Sequence, residues 1–314
     1  MTYSNRGDIL QPAICLDGSG TGNILAAGGI GLGIQRNIVT NNRLVHFTVQ
    51  KPSAAGATLS ASTFITVSPY TLPLRPTQPD GSSRLDAGDA GISASVYEVG
   101  GVLYAVHSTQ VGNLAALQWF RIDAASHSVL ESGFITDPVE DLFYGSIAAN
   151  AQGTVVIAYN GTSTNTPVSS FALVGRTVNG VTSFGTPLLL KQGTGSYQYI
   201  DRLGLSRWGD YSTTTVDPRD STRFWTIQEV PVSTTEWATQ VTELITGSPV
   251  LNIALTANGV LLSWSSSSLG LQTTPSLDVP YWIAVTEGIA TNNGVLSVTV
   301  PLTNLAGFFR LSSL

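Results

Sequence analysis

The sequence predicts an all-β protein, and three observations carry the prediction: few residues that favour exposed helix faces, a hairpin-sized pattern that recurs four times, and a change of texture after residue 247. Charged residues make up 11% of the 314, against about 25% in an average domain. Lysine occurs only at Lys51 and Lys191, while glycine supplies 32 residues. Such a chain lacks the material of solvated helix faces. It is not disordered in composition, because 42% of its residues are hydrophobic and apolar runs recur throughout. The net charge of −6 and the lack of any Lys/Arg run argue against nucleic acid, whose phosphates demand a basic stripe. Cys15 is the single cysteine, so stability must come from packing rather than from a disulfide or a cysteine zinc site.

The most apolar early stretch, NILAAGGIGLGI at 23–34, is too short to span a membrane, and no transmembrane helix is expected. Its Gly29-Ile30-Gly31-Leu32-Gly33 lacks the strand–helix context of a dinucleotide loop and reads as glycine in a strand or bulge. Residues 1–8, MTYSNRGD, carry no apolar core or cleavage site of a signal peptide. The chain is expected to be cytosolic, a mature form or a fragment.

The repeats come next. Segments 8–28, 89–107, 141–159 and 210–228 share one layout: an aspartate, small residues leading into a short strand, a polar turn, then a more apolar strand. The turns Asp17-Gly18-Ser19-Gly20, Gly100-Gly101, Asn150-Ala151-Gln152-Gly153 and Asp217-Pro218-Arg219-Asp220 have hairpin chemistry. Further strands rich in β-branched and aromatic residues follow each hairpin: 43–50 with 60–67, 116–123 with 129–136, and 169–178 with 187–191. Sets of three or four antiparallel strands at this spacing describe a β-propeller of about four blades. The fourth set offers only 236–244. Either one strand escapes the pattern, or the propeller is partial, with an open edge through which a homo-oligomer could form.

After 247 the texture changes to about six short strands with turns at Asn258-Gly259 and Asn292-Asn293-Gly294 and clear alternation in Leu296-Ser297-Val298-Thr299-Val300. This is expected to be a small C-terminal β-sandwich. The expected division is therefore 1–247 for the blades and 248–314 for the sandwich, whose only charged residues are Asp278, Glu287 and Arg310.

SRWGDYSTTTVDP followed by RFWTIQE, and above all the segment 215–225, resembles the degenerate Asp boxes of sialidase-like bacterial extracellular propellers. There an aspartate holds the hairpin turn, an aromatic packs between strands, and the motif is structural. LLSW and GFFRLSSL resemble terminal sandwich modules of large secreted bacterial proteins. The resemblance implies a propeller fold and an extracellular or cell-surface setting. Sialidases proper carry an arginine triad, a tyrosine nucleophile with a glutamate partner and an acidic acid/base residue. Arg84, Arg207 and Tyr211 are of suitable type, but no motif selects them.

Candidate chemistry begins with position. Asp8, Asp89, Asp141 and Asp210 each open a repeat. If each precedes the innermost strand of a blade, four carboxylates converge at the channel mouth, where Ca²⁺ would relieve their repulsion and polarise a substrate oxygen. The alternative is four aspartates that cap turns and accept backbone amides. A second cluster joins Asp201 and Arg202 to Arg207, Trp208, Gly209, Asp210 and Tyr211, with Asp137, Glu140, Asp141 and Tyr144 on the preceding repeat. Trp208 with Arg84, Arg202 and Tyr144 would bind a sugar, and a carboxylate pair would cleave it. The same residues could instead brace a long loop, with Trp208 packed against a blade. His107 is the candidate general base, or else a satisfied core histidine. No HExxH or GxSxG pattern is present. Two functions stand: a hydrolase at the channel mouth, Ca²⁺-assisted, acting on ester-like or glycosidic bonds, and a non-catalytic propeller that binds carbohydrate or protein.

Overall fold

The computed structural model describes residues 10–18, 22–27, 41–50, 56–82, 85–202, 204, 206–209, 212–247, 250–264, 269–292, 295–301 and 307–313. Every regular element among them is a β-strand. The chain divides into two compact units, Met1–Thr246 and Gly247–Leu314.

The first unit opens with β1 (Gln11–Cys15), β2 (Asn23–Ala27), β3 (Asn41–Gln50), β4 (Thr58–Leu59) and β5 (Thr63–Tyr70), a meander in which β4 and β5 both pair with β3. The second set is β6 (Val96–Val99), β7 (Val102–Val111), β8 (Leu114–Asp123) and β9 (Val129–Ile135), paired in chain order. Gly100 and Gly101 close the β6–β7 turn at φ 57° and 76°, as a two-residue hairpin with both central residues at positive φ requires. The first two sets are not separate sheets. β1 pairs antiparallel with β2 through Gln11 and Pro12, then parallel with β6 through Ala13, Ile14 and Cys15. The partner changes after Pro12, which has no N–H to offer a ladder.

The third sheet contains β10 (Asp141–Ala149), β11 (Thr154–Thr162) and β12 (Ser169–Val178), with β13 (Val181–Phe184) and β14 (Leu188–Lys191) both on β12. The fourth has three strands, β15 (Thr213–Val216), β16 (Arg223–Pro231) and β17 (Trp237–Ile245). These sheets stack face to face like propeller blades. Leu25, Leu44 and Ile65 of the first set pack with Val96, Leu103, Phe120 and Ile122 of the second. A second core runs from Val106, Leu117 and Trp119 through Ile147, Val155, Ile157 and Tyr159 to Val216 and Phe224 of the fourth sheet. Strands of the middle sheets are covered on both faces, which is why β10 and β11 are buried along their whole length.

The fourth sheet differs. Its inward face carries Val216, Phe224 and Leu244 into that core, and Thr214 and Gln228 meet the Ser146 hydroxyl at 2.6 and 3.3 Å. Its other face is open, and β17 alternates between exposed and half-buried positions from end to end.

The second unit pairs a four-stranded sheet, β18 (Asn252–Thr256), β19 (Gly259–Trp264), β23 (Val295–Val300) and β22 (Ala290–Asn292), with a three-stranded one, β21 (Ile283–Ala284), β20 (Leu269–Thr274) and β24 (Phe308–Ser313). Leu262, Trp264 and Val298 from one and Leu271 from the other form its core. This is a β-sandwich. The sequence reading missed the short β4, β13 and β22, all too brief to show a period.

Candidate functional site

Asp8, Arg84, Asp210 and Tyr211 lie outside the described residues. The two described carboxylates of the expected channel-mouth set both serve backbone amides. Asp89, at the surface, accepts the Gly91 amide at 2.8 Å. Asp141 is buried and takes one amide on each oxygen, from Ala115 at 2.8 Å and Thr77 at 3.0 Å. Burial pushes its pKa up, and the two amides pull against that shift. Its role is to tie the 71–80 loop to the head of β8. Both described carboxylates of the expected Ca²⁺ set thus accept N–H donors. Among the described residues no three His, Cys, Asp or Glu side chains group so as to hold a metal ion.

His107 is also displaced from the role of general base. Its ring is fully buried, lies 4.5 Å from Tyr70 and 5.7 Å from Phe120 between centroids, and has Ser108 O and Gln118 Oε1 at 3.0 and 3.2 Å. Desolvation holds its pKa down to about 4, partly opposed by those hydrogen bonds. No substrate reaches it. Arg202 stands exposed.

Trp208 and Tyr144 are corrected in the same sense. Both are buried, in a cluster with Leu85, Phe143, Val168 and Tyr197, so neither ring can stack on a sugar. What they do is hold a neighbour. Trp208 Nε1 donates to Asn160 Oδ1 at 3.3 Å, and Asn160 Nδ2 donates to the backbone oxygen of Glu229 at 2.8 Å. Glu229 in turn accepts the Gly209 amide on Oε2 at 2.6 Å. Gly209 sits at φ +66°, and a Cβ there would come within 2.5 Å of the Tyr144 ring. Tyr144 itself is at φ +50°, in a bulge where the β10–β11 register shifts between Phe143 and Ser146. A non-glycine residue at such φ inside a strand stores strain, and bulges re-aim side chains beside functional sites. Its amide donates to the Ser108 hydroxyl at 3.0 Å, and its carbonyl accepts the Ser212 hydroxyl at 3.1 Å.

This scaffold ends at a pocket of about 220 Å³ on the open face of the fourth sheet, lined by Arg207, Trp208, Gly209, Ile227, Glu229, Trp237 and Thr239. The register explains the grouping. Glu229 pairs with Thr239, Pro231 with Trp237, and Ile227 with Val241, so the outward positions of β16 and β17 stand side by side. Glu229 is half-buried, Arg207 exposed, and Trp237 is 54% exposed. The Glu229 charge is felt by Tyr197, whose pKa is raised first by burial and then by that carboxylate. An exposed indole beside an anchored carboxylate and a guanidinium can stack on an apolar ring face while bonding its hydroxyls.

Sequence reasoning selected Arg207 and the loop around it but missed Glu229 and Trp237. The signal was alternation: Trp237, Thr239 and Val241 share one face of a strand that had been recognised, and Glu229 is the acidic residue on the outward face of its neighbour.

In the segment 215–225 the aspartate holds the turn, but the aromatic is not packed between strands. Asp217 Oδ1 accepts the amides of Arg219 and Asp220 at 2.8 and 3.3 Å, which holds the turn. The aromatic, Trp225, donates Nε1 to Asp217 Oδ2 at 3.0 Å and lies on the open face instead of between strands.

No family model matches the chain, and no curated protein matches it. Among solved structures it is similar to the endo-arabinase from Bacteroides thetaiotaomicron VPI-5482, with 11% identity and a TM-score of 0.40 over 94% of this chain and 99% of that chain.

Proposed function

We propose that the chain recognises carbohydrate at the pocket on the open face of the fourth sheet. One observation carries this: the exposed Trp237 indole stands beside Glu229, whose carboxylate and backbone are both held by buried partners. A site built on such supported groups is preorganised, and preorganisation is what a weak, polar ligand such as a sugar needs. Arg207 and Thr239 supply further hydrogen-bonding groups. A glycan ligand also suits the extracellular or cell-surface setting that the resemblance implies.

Affinity electrophoresis of the whole chain through gels containing soluble plant and bacterial polysaccharides tests this. Retardation by at least one polysaccharide is expected, and W237A should weaken it roughly tenfold, the loss of about 1.4 kcal/mol of stacking. Mobility identical in every gel would overturn it.

Hydrolysis of the bound glycoside is the second reading. It needs a second carboxylate at about 5 to 9 Å from Glu229. Asp210 is the next residue in the chain after Gly209, whose amide Glu229 holds. Release of reducing ends that falls at least a hundredfold in both E229Q and D210N would support cleavage. Unchanged release in both variants would refute it.

A further inference from the structure

The seam between the third and fourth sheets holds a polar cluster that its own protons cannot satisfy. Ser146, Thr214, Thr226 and Gln228 meet there, each at most 1% exposed. Thr226 Oγ1 donates to the Thr213 carbonyl at 3.1 Å, and Thr214 Oγ1 donates to Thr226 Oγ1 at 3.1 Å. Ser146 Oγ lies 2.6 Å from Thr214 Oγ1 and 3.4 Å from the Ala158 carbonyl, and its one proton serves these acceptors. Gln228 Nε2 donates to Ser146 Oγ at 3.3 Å and to Thr226 Oγ1 at 3.4 Å. No hydroxyl proton is left for Gln228 Oε1, and among the described residues that oxygen has no partner. Turning the amide over does not cure this, because it aims the oxygen at hydroxyls whose protons are already engaged and orphans Nε2 instead.

A second orphan stands on the same seam. Ser170 pairs with Asn160 across β11 and β12, so the two side chains share a side of the sheet. That side faces β16, where Asn160 Nδ2 donates to the Glu229 carbonyl at 2.8 Å. Asn160 also donates to the Ser169 carbonyl and accepts from Trp208, and it does not bond Ser170 Oγ, which is buried and has no partner among the described residues. One row along, Ser146 pairs with Ala158 and Ala158 with Ala172. The third sheet thus turns the small, fully buried side chains of Ala158, Ser170 and Ala172 toward the strand that carries Gln228.

We propose that this seam is a binding site for internal water, in which an ordered molecule donates to Gln228 Oε1 and the hydration reaches Ser170 Oγ. Buried waters sit where polar groups lack protein partners and make about three hydrogen bonds each. A dry seam leaves two buried polar atoms uncompensated. With water at its head, the chain from Gln228 through Ser146, Thr214 and Thr226 to the Thr213 carbonyl is complete, and its bonds polarise one another. It backs β16 on the side opposite Ile227 and Glu229, which line the pocket.

Crystals of the whole chain that diffract well enough to show ordered solvent should place a water within about 3.2 Å of Gln228 Oε1. In solution, oxygen-17 relaxation dispersion counts long-lived internal waters. Q228M, which nearly keeps the volume and removes the acceptor, should lower that count by about one. It should also lower the urea midpoint, because a satisfied group is lost, whereas a dry and orphaned Oε1 predicts the opposite shift. Density in which Oε1 meets a protein donor or no water at all would overturn the proposal, as would an unchanged water count in a Q228M protein more stable than the parent. If Q228M does not fold, the density around Gln228 in the parent decides alone.

Discussion

Glycine 209 concentrates the local argument. Its amide donates to Glu229, its φ of +66° is one that L side chains avoid, and the Tyr144 ring occupies the space a Cβ would need. Alanine there meets a backbone penalty of about 1 to 2 kcal/mol and a steric clash besides. We expect G209A to lower stability by more than about 2 kcal/mol and to weaken saccharide binding by shifting the Glu229 carboxylate. Chemical denaturation and gel retardation measure the two effects. A G209A protein as stable as the parent would show that Tyr144 is free to move aside. Trp208 and Tyr144 illustrate how residue type can mislead: an aromatic beside charged groups suits a sugar site, yet here both aromatics are buried core.

Among the elements, the second set and the third sheet are joined by hydrogen bonds from an ion pair on β8 and β9 to Thr182 and Gly180. Arg121 on β8 meets Glu131 on β9 at 2.9 Å, and Glu131 also accepts the Thr182 amide and hydroxyl of β13 at 2.7 and 2.6 Å. Burial opposes the charge on Glu131, but Thr182 and Arg121 outweigh it and hold the carboxyl below the usual glutamate range. Arg121 additionally donates to the Gly180 carbonyl at 3.0 Å and lies 5.8 Å from the Tyr104 ring centroid. Removing one partner of a largely buried pair strands the other. E131A should therefore cost about 3 kcal/mol and E131Q about 1 to 2 kcal/mol, as read by urea unfolding. Equal stability of E131A and the parent would mean that water replaces the carboxylate at no cost. The strands themselves were legible in sequence because period-two alternation and β-branched runs survive in the outer strands, and hairpin turns mark their ends.

At the scale of the molecule, two histidines couple folding to acidity. His46 is held at a pKa of about 4, first by burial and then by the nearby His127, whose ring centroid is 4.8 Å away. Its Nε2 lies 2.9 Å from Asn23 Oδ1, and Asn23 reaches buried Glu98 at 2.9 Å. His107 is likewise held at about 4. In the unfolded chain both return to the ordinary histidine value near 6.5, so between pH 6.5 and 4 the unfolded state binds more protons. The stability contributed by keeping both rings neutral is fully present above pH 6.5 and declines as pH falls toward 4. Each site contributes at most about 3 kcal/mol. Thermal melts at pH 7.5, 5.5 and 4.5 should show a progressive loss that the double variant H46Q/H107Q reduces. A melting temperature flat across that range would contradict the burial of both rings.

Composition, turn chemistry and a repeated hairpin were enough to establish an all-β chain, the order of its strands and the sandwich texture after 247, because local periodicity and glycine-marked turns act within a few residues of one another. The site was not legible in the same way. Asp89 and Asp141 occupy equivalent places in their repeats, yet their carboxylates serve nearby backbone amides. Trp208 became core while Trp237 and Trp225 stayed in solvent. Which face of a strand is covered depends on whether another sheet stacks upon it, a contact between residues far apart in the chain. The open face of the fourth sheet, and with it the pairing of Glu229 with Trp237, exists only once the sheets have stacked.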